Sequence, residues 1–340
     1  MMKILIMEPN WLGDVLFTTP AIRAVREKYK DVYISVIVHA RCLPILEDNP
    51  NINEIIVLKN VRGLKGFFAK IRLIPRLKSK SFDIAFLFHR SMTHTLMCVL
   101  AGIPERVGYH TQKRFFLLTR RIIPQWPEAH RVEYFLDVTR ASGIDTDNKD
   151  YEFFIKPENE KQAISILNNN GIREDEPYFV INPGGNWPPK RWPKENFANL
   201  CDEIFNKYDI KVIMAGAEKD APLGEGIINL CASKPINLCG KTTLKQLAVI
   251  LKGAKVVISN DTGPMHIAVS QKTPTVALFG PTDPKITGPY GRSGYIVIRK
   301  DVGCPVPCYD KTCNDYRCMK AITVADALEA MEKLEHCSQD

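Results

Sequence analysis

The chain has 340 residues, of which 25% are charged and 45% hydrophobic, a composition typical of a folded protein with about two domains. It excludes a disordered, collagen-like or coiled-coil protein. No apolar run approaches the roughly 18 residues that a membrane-spanning helix needs. The apolar start is too short for a signal peptide, so we expect a cytoplasmic location.

The positive charge is uneven along the chain. The net charge is +8, and residues 60–121 hold thirteen Lys and Arg against two acids, Asp83 and Glu105. A run of this kind is more often a solvated face than a binding site. It nevertheless indicates an anionic partner, such as a phosphate, a nucleic acid or an acidic membrane surface.

Short Val- and Ile-rich runs alternate with segments of helical periodicity, the pattern of parallel strands joined by helices. In the first half, strands are predicted at Lys3–Met7, Val32–Val38, Glu54–Leu58 and Phe82–Phe88, with helices near 14–28, 41–48, 64–78 and 92–101. The polar segment 142–150 follows and is the best linker candidate. It divides the chain into predicted domains 1–150 and 151–340.

The second half repeats this rhythm. Strands are predicted at Tyr178–Ile181, Lys211–Ala215, Pro235–Leu238, Lys255–Ser259 and Thr275–Phe279, with helices near 194–207, 221–232, 243–252 and 262–270. A last helix, near 323–335, could pack back on the first domain. Both halves therefore predict doubly wound α/β sheets, with a ligand cleft between their strand carboxyl ends.

The turn after the first predicted strand contains Gly13 and Asp14. Gly13 permits a tight turn, and Asp14 would lie at the amino end of the first helix. The residues alone leave two interpretations equally open. Asp14 is either a helix cap or a carboxylate that takes a proton from a substrate hydroxyl.

Two segments of the second half have the features of an anion site. Residues 182–193 place two glycines beside Lys190 and Arg191, so backbone N–H groups and cations could hold a diphosphate. Residues 257–266 run from a buried strand into a helix whose first N–H groups, at Thr262 and Gly263, would face the same ligand.

Further side chains accompany these two segments. Asp261 precedes that helix, and His266 lies one turn along the same face. Glu218 ends the second strand of this half, where a carboxylate could bind ribose hydroxyls. A solvated turn and a structural histidine are the competing interpretations.

The chain has ten cysteines, four of which cluster with three- and four-residue spacings. Ten cysteines in a chain without a signal peptide argue against a disulfide framework. Thiolates at these spacings can bind zinc or an iron–sulfur cluster, although a structural or redox-sensitive loop is the favoured interpretation. The clustered residues are Cys304, Cys308, Cys313 and Cys318.

Taken together, the motifs NWLGD, PGGNWPPKRWP, AGAE, NDTGPMH and FGPTDP resemble glycosyltransferase family 9, in its heptosyltransferase II branch, nearly from end to end. The resemblance implies a GT-B architecture and an inverting transfer that uses no metal or other cofactor. It implies ADP-heptose as the donor and the inner core of lipopolysaccharide as the acceptor. An anionic acceptor would also explain the basic region, through peripheral contact with the inner face of the cytoplasmic membrane.

Matched to the family motifs, Asp14 is the general base and Lys190 the cation on the donor diphosphate. By the same resemblance, we expect Glu218 to contact the adenosine ribose, and Arg191, next to Lys190, to have a supporting role. The donor loop that holds the phosphates and the sugar comprises Asp261, Thr262, Gly263 and His266.

Two alternatives remain. The enzyme could use a different nucleotide sugar, because sugar choice rests on a few contacts. The chain could instead be a non-catalytic nucleotide-binding or nucleic-acid-binding protein, but no recognised nucleic-acid motif accompanies its basic residues. A dehydrogenase is disfavoured because the dinucleotide-binding glycine pattern is absent after both first strands.

Overall fold

The computed structural model describes residues 1–59, 69–123, 129–291, 294–310 and 312–337. The chain divides into two compact units, Met1–Phe154 and Ile155–Asp340. In the described residues, each unit holds one six-stranded parallel sheet flanked by helices, which confirms the predicted α/β class. None of the described helices has the length and apolar character needed to cross a membrane.

The sheet of the first unit has the strand order β3-β2-β1-β4-β5-β6. Its strands are β1 (Lys3–Met7), β2 (Tyr33–His39), β3 (Glu54–Leu58), β4 (Ile84–Leu87), β5 (Glu105–Tyr109) and β6 (Arg120–Ile122). Its helices are Leu12–Lys28, Leu43–Leu46, Ile74–Lys80, Met92–Leu100 and Arg131–Arg140. Of the helix predicted over 64–78, residues 64–68 lie outside the described residues.

The sheet of the second unit has the order β12-β11-β10-β7-β8-β9. Its strands are β7 (Tyr178–Asn182), β8 (Lys211–Met214), β9 (Ile236–Asn237), β10 (Val257–Asn260), β11 (Thr275–Leu278) and β12 (Tyr295–Ile298). Its helices are Pro157–Asn169, Lys194–Tyr208, Ala221–Ile228, Leu244–Lys252, Gly263–Ser270, Pro284–Thr287, Arg317–Lys320 and Val324–Cys337.

The central strands are apolar on both faces, because helices cover both sides of a parallel sheet. In β1, Ile4, Leu5 and Ile6 are fully buried, and every residue of β7 is buried. Each sheet forms a hydrophobic core of its own with the surrounding helices. Continuous apolar runs therefore identified these strands in the sequence.

Strands β5, β6 and β12 were not predicted. β5 begins with Glu105 and Arg106, which remain partly exposed, and only its last residues are buried. β6 is a three-residue edge strand whose Arg120 and Arg121 are exposed. Because charged residues are tolerated at strand ends and sheet edges, β5 and β6 lack the apolar run that signals a strand. β12 has such a run, Tyr295–Ile298, and was overlooked.

The last helix was predicted to pack back on the first domain, and the structure describes its packing within the second unit. Helix Val324–Cys337 packs on β11, β12 and helix Lys194–Tyr208 of its own unit. Its apolar face (Ala327, Ala330, Met331 and Leu334) is buried in the core of the second unit. An amphipathic helix following β12 covers the nearest exposed sheet face, which is the one beside it.

The polar segment 142–150, predicted as a linker, lies within the first unit. Its Ile144 is fully buried. The guanidinium of Arg23, on helix Leu12–Lys28, donates to the carbonyl oxygens of Asn148 and Asp150 at 2.5 and 3.1 Å. These contacts hold the segment against the first helix of the chain.

Candidate active site

The strand order reverses at the centre of each sheet, between β1 and β4 and between β7 and β10. Chain connections leave such a point in opposite directions, so a crevice opens at the carboxyl ends of the two strands. In the second unit, the loop after β7 contains Lys190 and Arg191, and Asp261 and Thr262 follow β10 directly. The topology thus brings the two predicted anion-binding segments to one edge of the sheet.

Side-chain hydrogen bonds join the ends of β7 and β10. The Thr262 hydroxyl donates to Asn182 Oδ1 at 2.8 Å, and the amide of Asn260 donates to the carbonyl of Pro183 at 2.9 Å. The Asn260 Oδ1 also accepts from the backbone N–H of Trp192 at 3.1 Å. The glycine- and proline-rich loop is therefore held against the start of helix Gly263–Ser270.

Lys190 and Asp261 form an ion pair at this edge. The Nζ of Lys190 lies 2.6 Å from Asp261 Oδ2, and the Thr282 hydroxyl donates to the same oxygen at 2.7 Å. The side chain of Asp261 is 6% exposed and that of Lys190 is 22% exposed. The negative charge of Asp261 is thus balanced by Lys190, whose ammonium group remains accessible to solvent.

The amino end of helix Gly263–Ser270 lies beside this pair. Thr262 occupies the cap position, but its side chain makes no capping bond because its hydroxyl bonds Asn182. Gly263 is partly exposed, and a Cβ added there would meet nothing within 4 Å. The first N–H groups of this helix therefore face space that an anion could occupy.

Arg191 supports the loop after β7 rather than facing the amino end of helix Gly263–Ser270. Its guanidinium donates twice to the carbonyl of Gly185, at 3.0 Å from Nε and 2.6 Å from Nη2, and lies 3.6 Å from Asp220 Oδ1. Gly184 is close to the same carboxylate, since a Cβ added there would lie 2.5 Å from Asp220 Oδ2. Arg191, Gly184 and Asp220 thus pack the loop tightly onto the sheet.

Glu218 and His266 differ in exposure. Glu218 begins a short 3₁₀ helix after β8, the strand next to β7, and its side chain is exposed. His266 is 3% exposed on helix Gly263–Ser270. Glu218 is therefore accessible to a ligand, whereas nearly all of His266 is buried.

In the first unit, Asp14 lies in the first turn of helix Leu12–Lys28, after β1. Its Oδ1 is 3.2 Å from the Nε of Arg131, and the two side chains are 19% and 31% exposed. The guanidinium of Arg131 also lies 4.7 Å from the centre of the Tyr134 ring. Arg131, which sequence reasoning missed, holds the carboxylate of Asp14 in one orientation.

Glu8 is a second carboxyl group near the end of β1 that the sequence did not single out. It is 3% exposed, and its Oε2 lies 2.8 Å from the Thr18 hydroxyl. Burial raises the pKa of Glu8 to about 8, because the charged form is poorly solvated there. Glu8 is therefore largely protonated at neutral pH.

The four clustered cysteines line one cavity of about 40 Å³, together with Pro189 and Pro281. Burial raises the pKa of the Cys318 thiol above its usual range. Within the part of the chain that the structure describes, no three His, Cys, Asp or Glu side chains are grouped so that they could hold a metal ion. Pro189 belongs to the loop after β7 that also contains Lys190 and Arg191, so the cavity adjoins that loop.

The chain matches a family model described as glycosyltransferase family 9 (heptosyltransferase) over residues 70–317. It is 28% identical over 308 residues to lipopolysaccharide heptosyltransferase 2 of Salmonella typhimurium, covering 87% of this chain and 88% of that protein. The solved structure of Escherichia coli ADP-heptose lipopolysaccharide heptosyltransferase II is similar at a TM-score of 0.84 and 25% identity, over 100% of both chains. A family 9 glycosyltransferase from Veillonella parvula is similar at a TM-score of 0.88 and 26% identity, over 98% of this chain and 97% of that one.

Proposed function

The chain belongs to glycosyltransferase family 9, the heptosyltransferase family, and on that premise we propose that it moves heptose from ADP-heptose to the inner core of lipopolysaccharide. The Salmonella relative is a lipopolysaccharide heptosyltransferase, and the Escherichia coli neighbour is an ADP-heptose lipopolysaccharide heptosyltransferase. The observation that carries the proposal is the Lys190–Asp261 pair beside the start of helix Gly263–Ser270.

On the donor side, the diphosphate binds between Lys190 and the N–H groups at Thr262 and Gly263. Breaking the sugar–phosphate bond builds negative charge on the leaving ADP, and a cation with a helix amino end stabilises that charge. In this mechanism no metal is required. When Lys190 turns to the diphosphate, Asp261 keeps the Thr282 hydroxyl and accepts hydrogen bonds from the sugar hydroxyls.

The remaining donor-side residues have separate roles. The exposed carboxylate of Glu218 binds the ribose hydroxyls of the adenosine. Arg191 braces the loop through the carbonyl of Gly185. His266 belongs to the same donor loop as Asp261, Thr262 and Gly263, and its side chain is largely buried.

On the acceptor side, Asp14 takes the proton from the attacking hydroxyl. Arg131 neither donates nor accepts that proton but orients the carboxylate. Attack from the face opposite the leaving ADP inverts the anomeric carbon. The first unit thus serves the acceptor and the second unit the donor.

The acceptor in this proposal is an anionic glycolipid at the inner face of the cytoplasmic membrane. The described part of the basic region contains eleven of its thirteen cations, since Arg62 and Lys65 fall outside it. Arg114 is fully buried, and phosphates of the acceptor and of the lipid surface attract the cations that are exposed.

The proposal is tested by the rise in melting temperature with ADP, UDP, GDP or CMP, measured on the wild type and Lys190→Ala. A ligand present at 100 times its Kd stabilises the fold by about 2.7 kcal/mol. We expect stabilisation by ADP that Lys190→Ala abolishes. A preference for UDP or GDP would indicate a donor other than ADP-heptose. No response to any nucleotide would contradict the catalytic proposal.

A further inference from the structure

Three large apolar side chains are exposed near the carboxyl ends of neighbouring strands in the first unit. Phe115 and Phe116 lie in a 3₁₀ helix after β5 and are 41% and 62% exposed. Ile123 directly follows β6 and is 73% exposed. Exposed apolar residues of this size are ordinary when scattered, but a contiguous group marks an interaction surface.

Ring contacts and one backbone hydrogen bond place these residues close together. The rings of Phe115 and Phe116 are 5.7 Å apart, and the ring of His110 is 5.9 Å from Phe115. The backbone N–H of His110 donates to the carbonyl of Ile122 at 2.7 Å, which brings β6 and Ile123 to the same place. One surface therefore contains the aromatic pair and the isoleucine.

Cations accompany the apolar side chains. Lys113 and Arg121 are exposed, and the guanidinium of Arg121 lies 5.5 Å from the centre of the Phe115 ring. The nearby acid, Glu105, is paired with Arg120 at 3.0 Å at the opposite end of its strand. We call Lys113, Phe115, Phe116, Arg121 and Ile123 the apolar–basic patch.

We infer that the apolar–basic patch docks the enzyme on an anionic lipid bilayer. Aromatic and aliphatic side chains enter the headgroup region, while Lys and Arg stems extend to lipid phosphates. Charge complementarity with anionic lipids favours this occupant, because an exposed lysine and a ring-stacked arginine flank the apolar side chains. The inference rests on the proposed function in one respect, namely that the acceptor is borne by a membrane.

The apolar–basic patch lies at the same edge of the first sheet as Asp14. All six strands of the first sheet are parallel, so residues that follow β1, β5 and β6 share one edge of it. Asp14 follows β1, and the patch follows β5 and β6. Docking through the patch would therefore turn the edge that holds the proposed base towards the lipid surface.

The test is co-sedimentation of the full chain with vesicles of phosphatidylcholine alone or mixed with phosphatidylglycerol. We expect the wild type to bind the mixed vesicles at low salt and to be released by high salt. Replacing Phe116 and Ile123 by Ser should lower the partition coefficient on the order of 10-fold or more. Lys113→Gln and Arg121→Gln should each lower it about 5-fold.

The matched control is the double variant Phe205→Ser and Leu230→Ser, which changes two exposed apolar residues of the second unit. It should bind vesicles as the wild type does. Absence of wild-type binding, or equal losses in patch and control variants, would overturn the inference. The ADP-induced rise in melting temperature, measured on the same preparations, separates this outcome from a failure of the proposed function.

Discussion

The Nζ of Lys190 lies 2.6 Å from Oδ2 of Asp261, so the cation proposed for the donor diphosphate is paired with a buried carboxylate in the free protein. The two residues belong to the loops after β7 and β10, the strands between which the sheet reverses. In the proposed donor complex, Lys190 exchanges one anionic partner for another. Asp261 then keeps the hydrogen bond from Thr282 and gains hydrogen bonds from the sugar hydroxyls.

The pair contributes to stability as well as to binding. Lys190→Ala removes the cation from a carboxylate that is 6% exposed, so we expect the free energy of unfolding to fall by about 1–3 kcal/mol. Adding Asp261→Asn should recover much of that loss without restoring the response to ADP. Urea unfolding of the single and double variants measures both effects.

The control for this cycle is Lys194→Ala, which changes an exposed lysine of the neighbouring helix. It should leave the free energy of unfolding within about 0.5 kcal/mol of the wild type. Strictly additive losses for Lys190→Ala and Asp261→Asn would show that the two side chains are not coupled.

Glu8 predicts a pH dependence of stability. Burial raises the pKa of Glu8 to about 8 in the folded protein, so the folded state holds a proton that the unfolded state releases near the ordinary pKa of 4.5. The cost of burying Glu8 is absent below the unfolded pKa, grows as the pH rises and is complete above about 8.

Glu8→Gln should therefore flatten the decline in stability between about pH 5 and pH 8, with a gain of at most about 3 kcal/mol near pH 7. The free energy of unfolding in urea, measured across that range, tests the prediction. An unchanged pH dependence in Glu8→Gln would assign the decline to other groups.

Gly184 is predicted to be intolerant of a side chain. A Cβ there would lie 2.5 Å from Asp220 Oδ2, and the surrounding loop is held by Arg191. Gly184→Ala should cost about 1–3 kcal/mol and weaken ADP binding, because the loop must move away from the sheet. Gly226→Ala is the matched control, since its added Cβ meets nothing within 4 Å; it should be neutral or stabilising.

The cysteine cavity is predicted to hold no stoichiometric metal. In the described residues its four thiols line about 40 Å³ without a three-ligand group, and the proposed chemistry needs no metal. Elemental analysis of protein purified without added metal should find zinc and iron well below one equivalent. A full equivalent that Cys313→Ser abolishes would establish a metal site instead.

Much of the fold could be predicted because the buried strands are continuous apolar runs, as in β1 and β7. Strand β5 escaped prediction because Glu105 and Arg106 occupy its exposed beginning. The packing of the last helix on β11 and β12 could not be predicted, because its amphipathic pattern shows that one face is buried but not which surface covers it.

The sequence predicted which segments form the candidate site but not which of their residues pair with each other. The glycines, the cations and the start of the helix were recognised because each motif lies within one short segment. The pairing of Lys190 with Asp261 spans 71 residues, and that of Asp14 with Arg131 spans 117. Such pairs depend on strand order, which local patterns do not determine. Glu8 was not singled out in the sequence because its raised pKa results from burial, which a local sequence pattern does not show.

The most direct measurement is heptose transfer from ADP-heptose to an inner-core lipopolysaccharide acceptor, followed by mass spectrometry and by NMR of the new anomeric centre. We expect product with inverted configuration and release of ADP. Asp14→Asn should lower turnover by on the order of 10²–10⁴-fold while the ADP-induced rise in melting temperature persists. Asp31→Asn, at an exposed acid of the same unit, should behave as the wild type. Absence of transfer by wild-type protein that binds ADP, or near-normal turnover by Asp14→Asn, would contradict the proposed mechanism.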